Sequence, residues 1–134
     1  MPERCVIVID ESLPPGLAAN AAAVLALTLG AREPALVGAG FVDADEGAHP
    51  GLIPTGLPVL KAPRAELGEL RGRAGDAGLG VVDFPTLGQQ TNDYDEFRGR
   101  VARTPAAELE YLGVAVYGPR RAVGRVTGNL PLLK

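Results

Sequence analysis

The chain has 134 residues, which is enough for one domain and too few for two of ordinary size. Hydrophobic residues make up 46% of the chain, so it can bury a core, and a formal charge of −3 argues against broad binding to nucleic acids or anionic membranes. The single cysteine, Cys5, excludes an internal disulfide and any metal site built from several cysteines. The first residues have no signal-peptide pattern, so we expect a cytoplasmic protein.

Strands and helices are expected to alternate in the first half of the chain. Residues 5–10 form a run of mostly β-branched residues, which is typical of a strand covered on both faces. Residues 17–29 form an Ala- and Leu-rich helix that is apolar on nearly every side, so we expect it to be buried, and Gly30 is placed to end it. Residues 33–58 should contain only short strands or a small subsidiary element and, at 43–51, a polar loop.

The second half continues the same alternation. The predicted elements are strands at 59–61, 79–84 and 112–117 and helices from 63 to about 78, at 93–103 and at 120–127. Strands that alternate with helices indicate a mainly parallel sheet with helices on both faces. We therefore predict a single α/β domain over residues 1–134, a three-layer α/β/α sandwich around a small mixed, mostly parallel sheet.

Two aspartates, Asp10 and Asp83, each end a predicted strand. In open α/β sheets, ligands bind at the carboxyl ends of the strands. If the two strands are neighbours, the carboxylates would approach each other, and the pKa of one would rise, which suits acid–base chemistry. The alternative is that each aspartate only caps the turn or helix that follows it.

Four other polar side chains could contribute to a ligand site near these strand ends. Asn20 is the only polar side chain in the first turns of an apolar helix, so it could orient a ligand or tie down the preceding loop. Lys61 ends a short strand, where it could meet an anionic group or pair with Asp83. Gln90 and Thr91 belong to a polar cluster that could bind a small polar ligand or form a turn and a helix cap.

His49 is the only histidine, so any imidazole base or histidine metal ligand would have to be this residue. Its spacing to the acidic residues before it matches no strong metal motif, and we predict no metal site. It is either an exposed loop residue or a base that faces the site from a flexible lid. The sequence has no glycine-rich phosphate loop and no serine nucleophile elbow, so no cofactor is predicted.

Several segments resemble those of type-two peptidyl-tRNA hydrolases, in the same order. The run from Val6 to Gly16 and the Ala-rich helix after it resemble that family's first strand, loop and helix. Residues 59–61 resemble its middle strand, and Thr127-Gly-Asn-Leu-Pro131 resembles its Thr-Gly-His-Leu-Lys tail. The resemblance implies the hydrolase fold and, since these hydrolases often pair, a possible homodimer.

The residues that the hydrolases use for catalysis are mostly absent. Aligned on the opening loop, the positions of the family's lysines, glutamine and histidine hold apolar residues: Pro14, Leu17, Ala19, Ala23 and Ala26. The family's aspartate at the end of a later strand is matched by Asp83. Because apolar side chains cannot hold a phosphate backbone, peptidyl-tRNA hydrolysis is not expected.

A second resemblance covers almost the full length of the chain. It is to a mostly bacterial family known as domain of unknown function 2000, which the resemblance also connects to the hydrolase fold. The matching segments are residues 10–30, 49–51, 59–61, 82–84, 94–97 and 117–119.

We therefore predict a protein that binds a small polar or anionic ligand in a pocket at the carboxyl ends of the strands. The ligand-binding candidates are Asp10, Asn20, Lys61, Gln90 and Thr91, and the catalytic candidates are Asp83 and His49. One alternative is a hydrolase or other acid–base enzyme that uses the same pocket, and a second is a structural or partner-binding module. The sequence leaves open whether the protein is an enzyme, and no nucleic-acid or membrane partner is expected.

Overall fold

A computed structural model describes residues 1–134, with six strands and four main helices. The elements are, in chain order, β1 (Arg4–Asp10), α1 (Pro15–Arg32), β2 (Phe41–Val42), β3 (Ala48–His49), β4 (Val59–Ala62), α2 (Arg64–Asp76), β5 (Gly80–Pro85), α3 (Tyr94–Ala102), β6 (Tyr111–Gly118) and α4 (Arg120–Thr127). The predicted α/β architecture is confirmed, and every predicted long strand and helix is present within a few residues of its expected ends.

Local sequence signals account for where the helices begin. Pro15 lies in the first turn of α1 and Pro63 immediately precedes α2, and at these positions a backbone N–H would lack a helical partner in any case. The carboxylate of Asp93 caps α3 by accepting hydrogen bonds from the backbone N–H groups of Asp95 and Glu96, at 2.9 and 3.1 Å. These starts depend on neighbouring residues, which is why they could be predicted.

The main sheet has the strand order β4-β1-β6-β5. β1 pairs with β4 in parallel, but β6 runs antiparallel to both β1 and β5. The predicted mixed sheet is confirmed, but two of its three strand pairings are antiparallel, so the expectation that it is mostly parallel is wrong. The reason lies in α3, which packs against the short 3-10 turn after β5 (Thr86–Gln89) and buries no residue. Because α3 does not cross the sheet, the chain re-enters at the same edge, and β6 runs back between β1 and β5.

Each face of the sheet has its own apolar core. On one face, α1 packs on the sheet through Ile7, Ile9, Ala21, Leu25 and Leu112. On the other face, α2 and α4 cover the sheet through a larger cluster that includes Val8, Val114, Leu67, Leu70 and Val123. Helices therefore lie on both faces, as predicted, and the carboxyl ends of β1, β4 and β5 share one edge of the sheet.

The prediction that α1 is buried on nearly every side is wrong. Its inner side is buried, but Leu27 is 77% exposed, Leu17 is 43% exposed and Val24 is 39% exposed. The cause is that α1 is the only helix packed on its face of the sheet, so nothing in the chain covers its outer side. None of the helices is both long and apolar enough to span a membrane.

Residues 33–58 contain a small subsidiary element, as expected. Residues 34–36 form a 3-10 turn instead of a strand, and β2 and β3 pair as an antiparallel hairpin. The predicted polar loop at 43–51 therefore includes a short strand. In the turn of the hairpin, Asp43 accepts hydrogen bonds from the backbone N–H groups of Asp45 and Gly47, each at 2.9 Å.

Candidate functional site

Two hollows lie near the edge of the sheet where β1, β4 and β5 end. The first, called here the β5 pocket, lies between α1, β5 and α3 and has a volume of about 300 Å³. The second, called the α2 cleft, lies on the opposite face between α2 and residues 106–111 and has a volume of about 650 Å³. Both volumes are within the range that small-molecule sites occupy.

The β5 pocket has apolar walls and a polar rim. Its apolar side chains include Val24 and Leu25 from α1, Val82 and Phe84 from β5, and Phe97 from α3. A combination of aliphatic and aromatic walls with polar groups at the rim is common in small-ligand sites.

Some polar side chains of the rim form hydrogen bonds within the chain, and others do not. The hydroxyl of Thr91 donates a hydrogen bond to Glu96 at 3.0 Å and accepts one from the backbone N–H of Asp93 at 3.0 Å, so it helps to cap α3. Thr28 and Asn92 also line the pocket, and their side chains make no hydrogen bond with the rest of the chain. These two side chains are therefore free to bond a ligand.

Asp10 is completely buried at the end of β1, on the face covered by α2. One carboxylate oxygen accepts hydrogen bonds from the Ser12 backbone N–H at 2.9 Å and from the Ser12 hydroxyl at 2.7 Å. The other oxygen accepts a hydrogen bond from Nε of Arg64. Burial alone would raise the pKa of this carboxyl, but the bonds from Ser12 and Arg64 hold the pKa below its ordinary value. The ionised carboxylate of Asp10 thus stabilises the turn at Ser12 and positions the side chain of Arg64.

Asp83 lies on the same face of the sheet and is bound to Arg71. Nε of Arg71 donates a hydrogen bond to its carboxylate at 2.6 Å, and this bond raises the pKa of the Arg71 guanidinium. The guanidinium also lies over the ring of Tyr111, 6.0 Å from its centroid, and burial raises the pKa of the Tyr111 hydroxyl.

Asp10 and Asp83 do not form a carboxylate pair, because their strands are separated by β6 and each carboxylate binds a different arginine of α2. The premise that their strands are neighbours is wrong. Neither Arg64 nor Arg71 was among the predicted site residues. Their spacing of seven residues, which places both on one helix face, was the signal that could have linked them.

His49 lies in the exposed β2–β3 hairpin. Its Nε2 is 2.8 Å from a carboxylate oxygen of Asp43, and its ring stacks on Phe41 with centroids 5.0 Å apart. The bond with His49 is the main cause that lowers the pKa of Asp43, with further bonds from backbone N–H groups. The structure does not bring His49 together with Asp83, and it contains no cluster of three or more His, Cys, Asp or Glu side chains that could hold a metal ion.

The other candidate residues are dispersed. Asn20 is exposed on the outer side of α1, and Gln90 accepts a hydrogen bond from Arg100 at 3.3 Å. Lys61 lies opposite Ile9 in the sheet, on the face covered by α1, and forms no ion pair with Asp83, so that expected pairing is wrong. Of the predicted site residues, only Asp83 and Thr91 contribute to the wall of the β5 pocket, and the Asp83 carboxylate faces away from it, toward Arg71.

Comparison with known proteins identifies the fold and gives no activity. Residues 3–134 match the family model described as protein of unknown function DUF2000. A solved structure of a protein of unknown function from Agrobacterium tumefaciens strain C58 superposes with a TM-score of 0.87 at 15% identity, covering 96% of each chain. At this identity the likeness shows a shared fold. None of the curated proteins matches the sequence.

Proposed function

The chain belongs to DUF2000, a family of proteins of unknown function, and we propose that it binds a small polar ligand in the β5 pocket. The observation that carries this proposal is a hollow of about 300 Å³ with apolar walls and two polar side chains, Thr28 and Asn92, that have no partner in the chain. A site with this composition binds a ligand through its apolar faces and selects it through a few hydrogen bonds.

The charges around the β5 pocket restrict the ligand further. Asp93 lines it, and no lysine or arginine does, while the Asp83 carboxylate faces Arg71 on the other side of the sheet. An anion would meet the Asp93 carboxylate and no cation, so the pocket favours an uncharged ligand over the anionic one that the sequence also allowed. Phe84 and Phe97 can pack against a flat ring, and Thr28 and Asn92 can bond the polar edge of that ring. Heteroaromatic compounds, such as nucleobases and aromatic amides, have this chemistry.

A thermal-shift screen with nucleobases, nucleosides and aromatic amides tests this proposal. We expect at least one compound to raise the melting temperature, since a ligand that binds only the folded chain stabilises it. Thr28→Val removes a hydroxyl at nearly constant volume, and we expect it to weaken binding of that compound about tenfold, which corresponds to about 1.4 kcal/mol.

The matched control is Thr55→Val, which removes an exposed hydroxyl whose only bond is to the backbone carbonyl of Gly56. It should leave the affinity unchanged. The proposal fails if no compound stabilises the wild type, or if the two valine variants bind equally well.

The geometry gives less support to the alternative function, a hydrolase or other acid–base enzyme that uses the same pocket. The bonds of Asp83 to Arg71 and of His49 to Asp43 leave neither candidate base free beside the β5 pocket. We retain the proposal of a fold related to type-two peptidyl-tRNA hydrolases, supported by the hydrophobic β1 that leads through a loop into the Ala-rich α1.

A homodimer is a second proposal, supported by the outer side of α1. This side exposes Leu17 and Leu27, with Val24 at its border with the β5 pocket, and no charged residue occurs between Pro15 and Ala31. A second copy of the chain fits such a face, because two uncharged apolar surfaces can pair about a twofold axis without repulsion between like charges.

We expect Leu27→Glu to convert this dimer to a monomer, because each subunit would bring a buried carboxylate into the interface. Sedimentation velocity at 10 to 100 µM, on the order of ordinary dimer affinities, measures the change. Leu52→Glu alters an equally apolar side chain, 70% exposed in another segment, and should leave the dimer intact. A wild type that sediments as a monomer throughout this range contradicts the proposal.

A further inference from the structure

The α2 cleft contains two arginines that are held in place but only partly bonded. Arg64 and Arg71 both line the cleft, and each donates only its Nε to an aspartate. A guanidinium has five N–H donors, so the terminal nitrogens of both arginines are available to a ligand. This site is separate from the β5 pocket and lies on the other face of the sheet.

Each guanidinium group is held by an aspartate, and further contacts support each pair. Asp10, which binds Arg64, is completely buried and bonded on its other oxygen by Ser12. Arg71 is held by Asp83 and also lies over the buried ring of Tyr111. Arginines held in this way lose little conformational entropy when they bind, which favours their use as ligand-binding groups.

Two glycines keep the space between the arginines open. Arg64 and Arg71 are seven residues apart, which is about 10 Å along a helix axis. Gly68 and Gly72 lie between and beside them and line the cleft. A Cβ at Gly68 would meet only the Tyr111 ring, at 3.9 Å, and a Cβ at Gly72 would meet nothing within 4 Å. A tetrahedral oxyanion such as phosphate presents oxygens in several directions and suits two separate guanidinium groups, whereas a planar carboxylate suits a single guanidinium fork.

Acidic side chains line the same cleft. Glu69 and Glu110 both line it, and neither forms an ion pair within the chain. Since Arg64 and Arg71 are already neutralised by Asp10 and Asp83, the cleft has a net negative charge. A bare anion is therefore disfavoured, and a ligand that also carries an ammonium group is favoured.

From these four observations we propose that the α2 cleft binds a small zwitterion. Its phosphate group bridges Arg64 and Arg71, and its ammonium group pairs with Glu69 or Glu110. The proposal is independent of the ligand in the β5 pocket, and Thr28→Val leaves binding in the α2 cleft unchanged.

Isothermal titration calorimetry at low ionic strength tests the proposal with O-phosphoethanolamine, inorganic phosphate and ethanolamine as probes. We expect O-phosphoethanolamine to bind at least tenfold more tightly than phosphate, and ethanolamine to give no measurable heat. Gly68→Glu places a carboxylate between the two arginines and should weaken binding of O-phosphoethanolamine at least tenfold. Gly124→Glu makes the same exchange on α4, where a Cβ also meets nothing within 4 Å, and should bind like the wild type.

Two further variants separate the roles of the charges. Arg71→Gln removes a cation from a half-exposed site and should weaken the binding of both O-phosphoethanolamine and inorganic phosphate. Glu69→Gln should weaken the binding of O-phosphoethanolamine more than that of inorganic phosphate, so the ratio of the two affinities should decrease. The proposal is overturned if the wild type binds no O-phosphoethanolamine, if it prefers inorganic phosphate, or if Gly68→Glu and Gly124→Glu bind equally.

Discussion

Asp10→Asn is expected to lower the free energy of unfolding by about 3 kcal/mol. The carboxylate is completely buried and accepts hydrogen bonds from Ser12 and Arg64. Asparagine has the same size but only one acceptor oxygen. Its amide N–H group would therefore face the donor of either Ser12 or Arg64, and two donors cannot form a hydrogen bond. Arg64 would also lose its anion, and because 37% of its side chain is exposed, solvent offsets part of that loss.

Urea unfolding followed by circular dichroism measures this loss as a lower midpoint with an unchanged slope. Asp45→Asn removes a charge from an exposed aspartate and should change stability by less than about 0.5 kcal/mol. If the two asparagine variants unfold at the same urea concentration, the buried Asp10 carboxylate does not stabilise the fold.

The lowered pKa of Asp10 also predicts the pH dependence of stability. Because the carboxyl has a lower pKa in the folded chain than its ordinary value of 3.8, its contribution is fully present above that pH. The contribution is lost as the pH falls through the lower, folded-state pKa. The difference in unfolding free energy between the wild type and Asp10→Asn should therefore shrink below about pH 4. A difference that stays constant to pH 2 would show that the carboxylate charge is not the cause.

Gly113→Val is expected to destabilise the chain by about 3 kcal/mol, through crowding between β6 and α1. A Cβ at this position would lie 2.8 Å from Cδ1 of Ile9, 2.9 Å from Cδ1 of Leu25 and 3.0 Å from the backbone oxygen of Val8. The two side-chain ends can shift slightly, but the backbone of β1 cannot, so α1 has to move away from the sheet. β propensity alone would favour valine over glycine in a strand, so the expected sign depends entirely on this packing.

Chemical denaturation of Gly113→Ala and Gly113→Val should give a graded loss that increases with side-chain volume. Gly30→Ala on α1 is the control, because a Cβ there meets nothing within 4 Å and alanine suits a helix better than glycine. We expect Gly30→Ala to leave stability unchanged or to raise it by up to about 1 kcal/mol. A stabilising Gly113→Val would contradict the close contact between α1 and β6.

The sequence by itself determined which elements form and most of their ends, although α1 does not end at Gly30 as expected and continues to Arg32. The β-branched run at 5–10, the prolines before the helices and the Thr91–Asp93 cap act through residues close in the chain, so their structural effects could be predicted. The resemblance to DUF2000 also followed from the sequence, and the family match over residues 3–134 confirms it. The ligand-binding roles given to Asn20, Lys61 and Gln90 stay predictions.

Only the tertiary structure decided the direction of β6, the exposure of α1 and the partners of the two strand-end aspartates. Each depends on groups far apart in the chain, such as Asp10 and Arg64, whose meeting requires the complete sheet and the helix packed on it. Hydrophobic periodicity shows that a segment is covered, but not which segment covers it or whether a neighbouring strand runs parallel. For that reason a sequence that suggested a pair of carboxylates for acid–base chemistry folds into two aspartate–arginine pairs beside an open cleft.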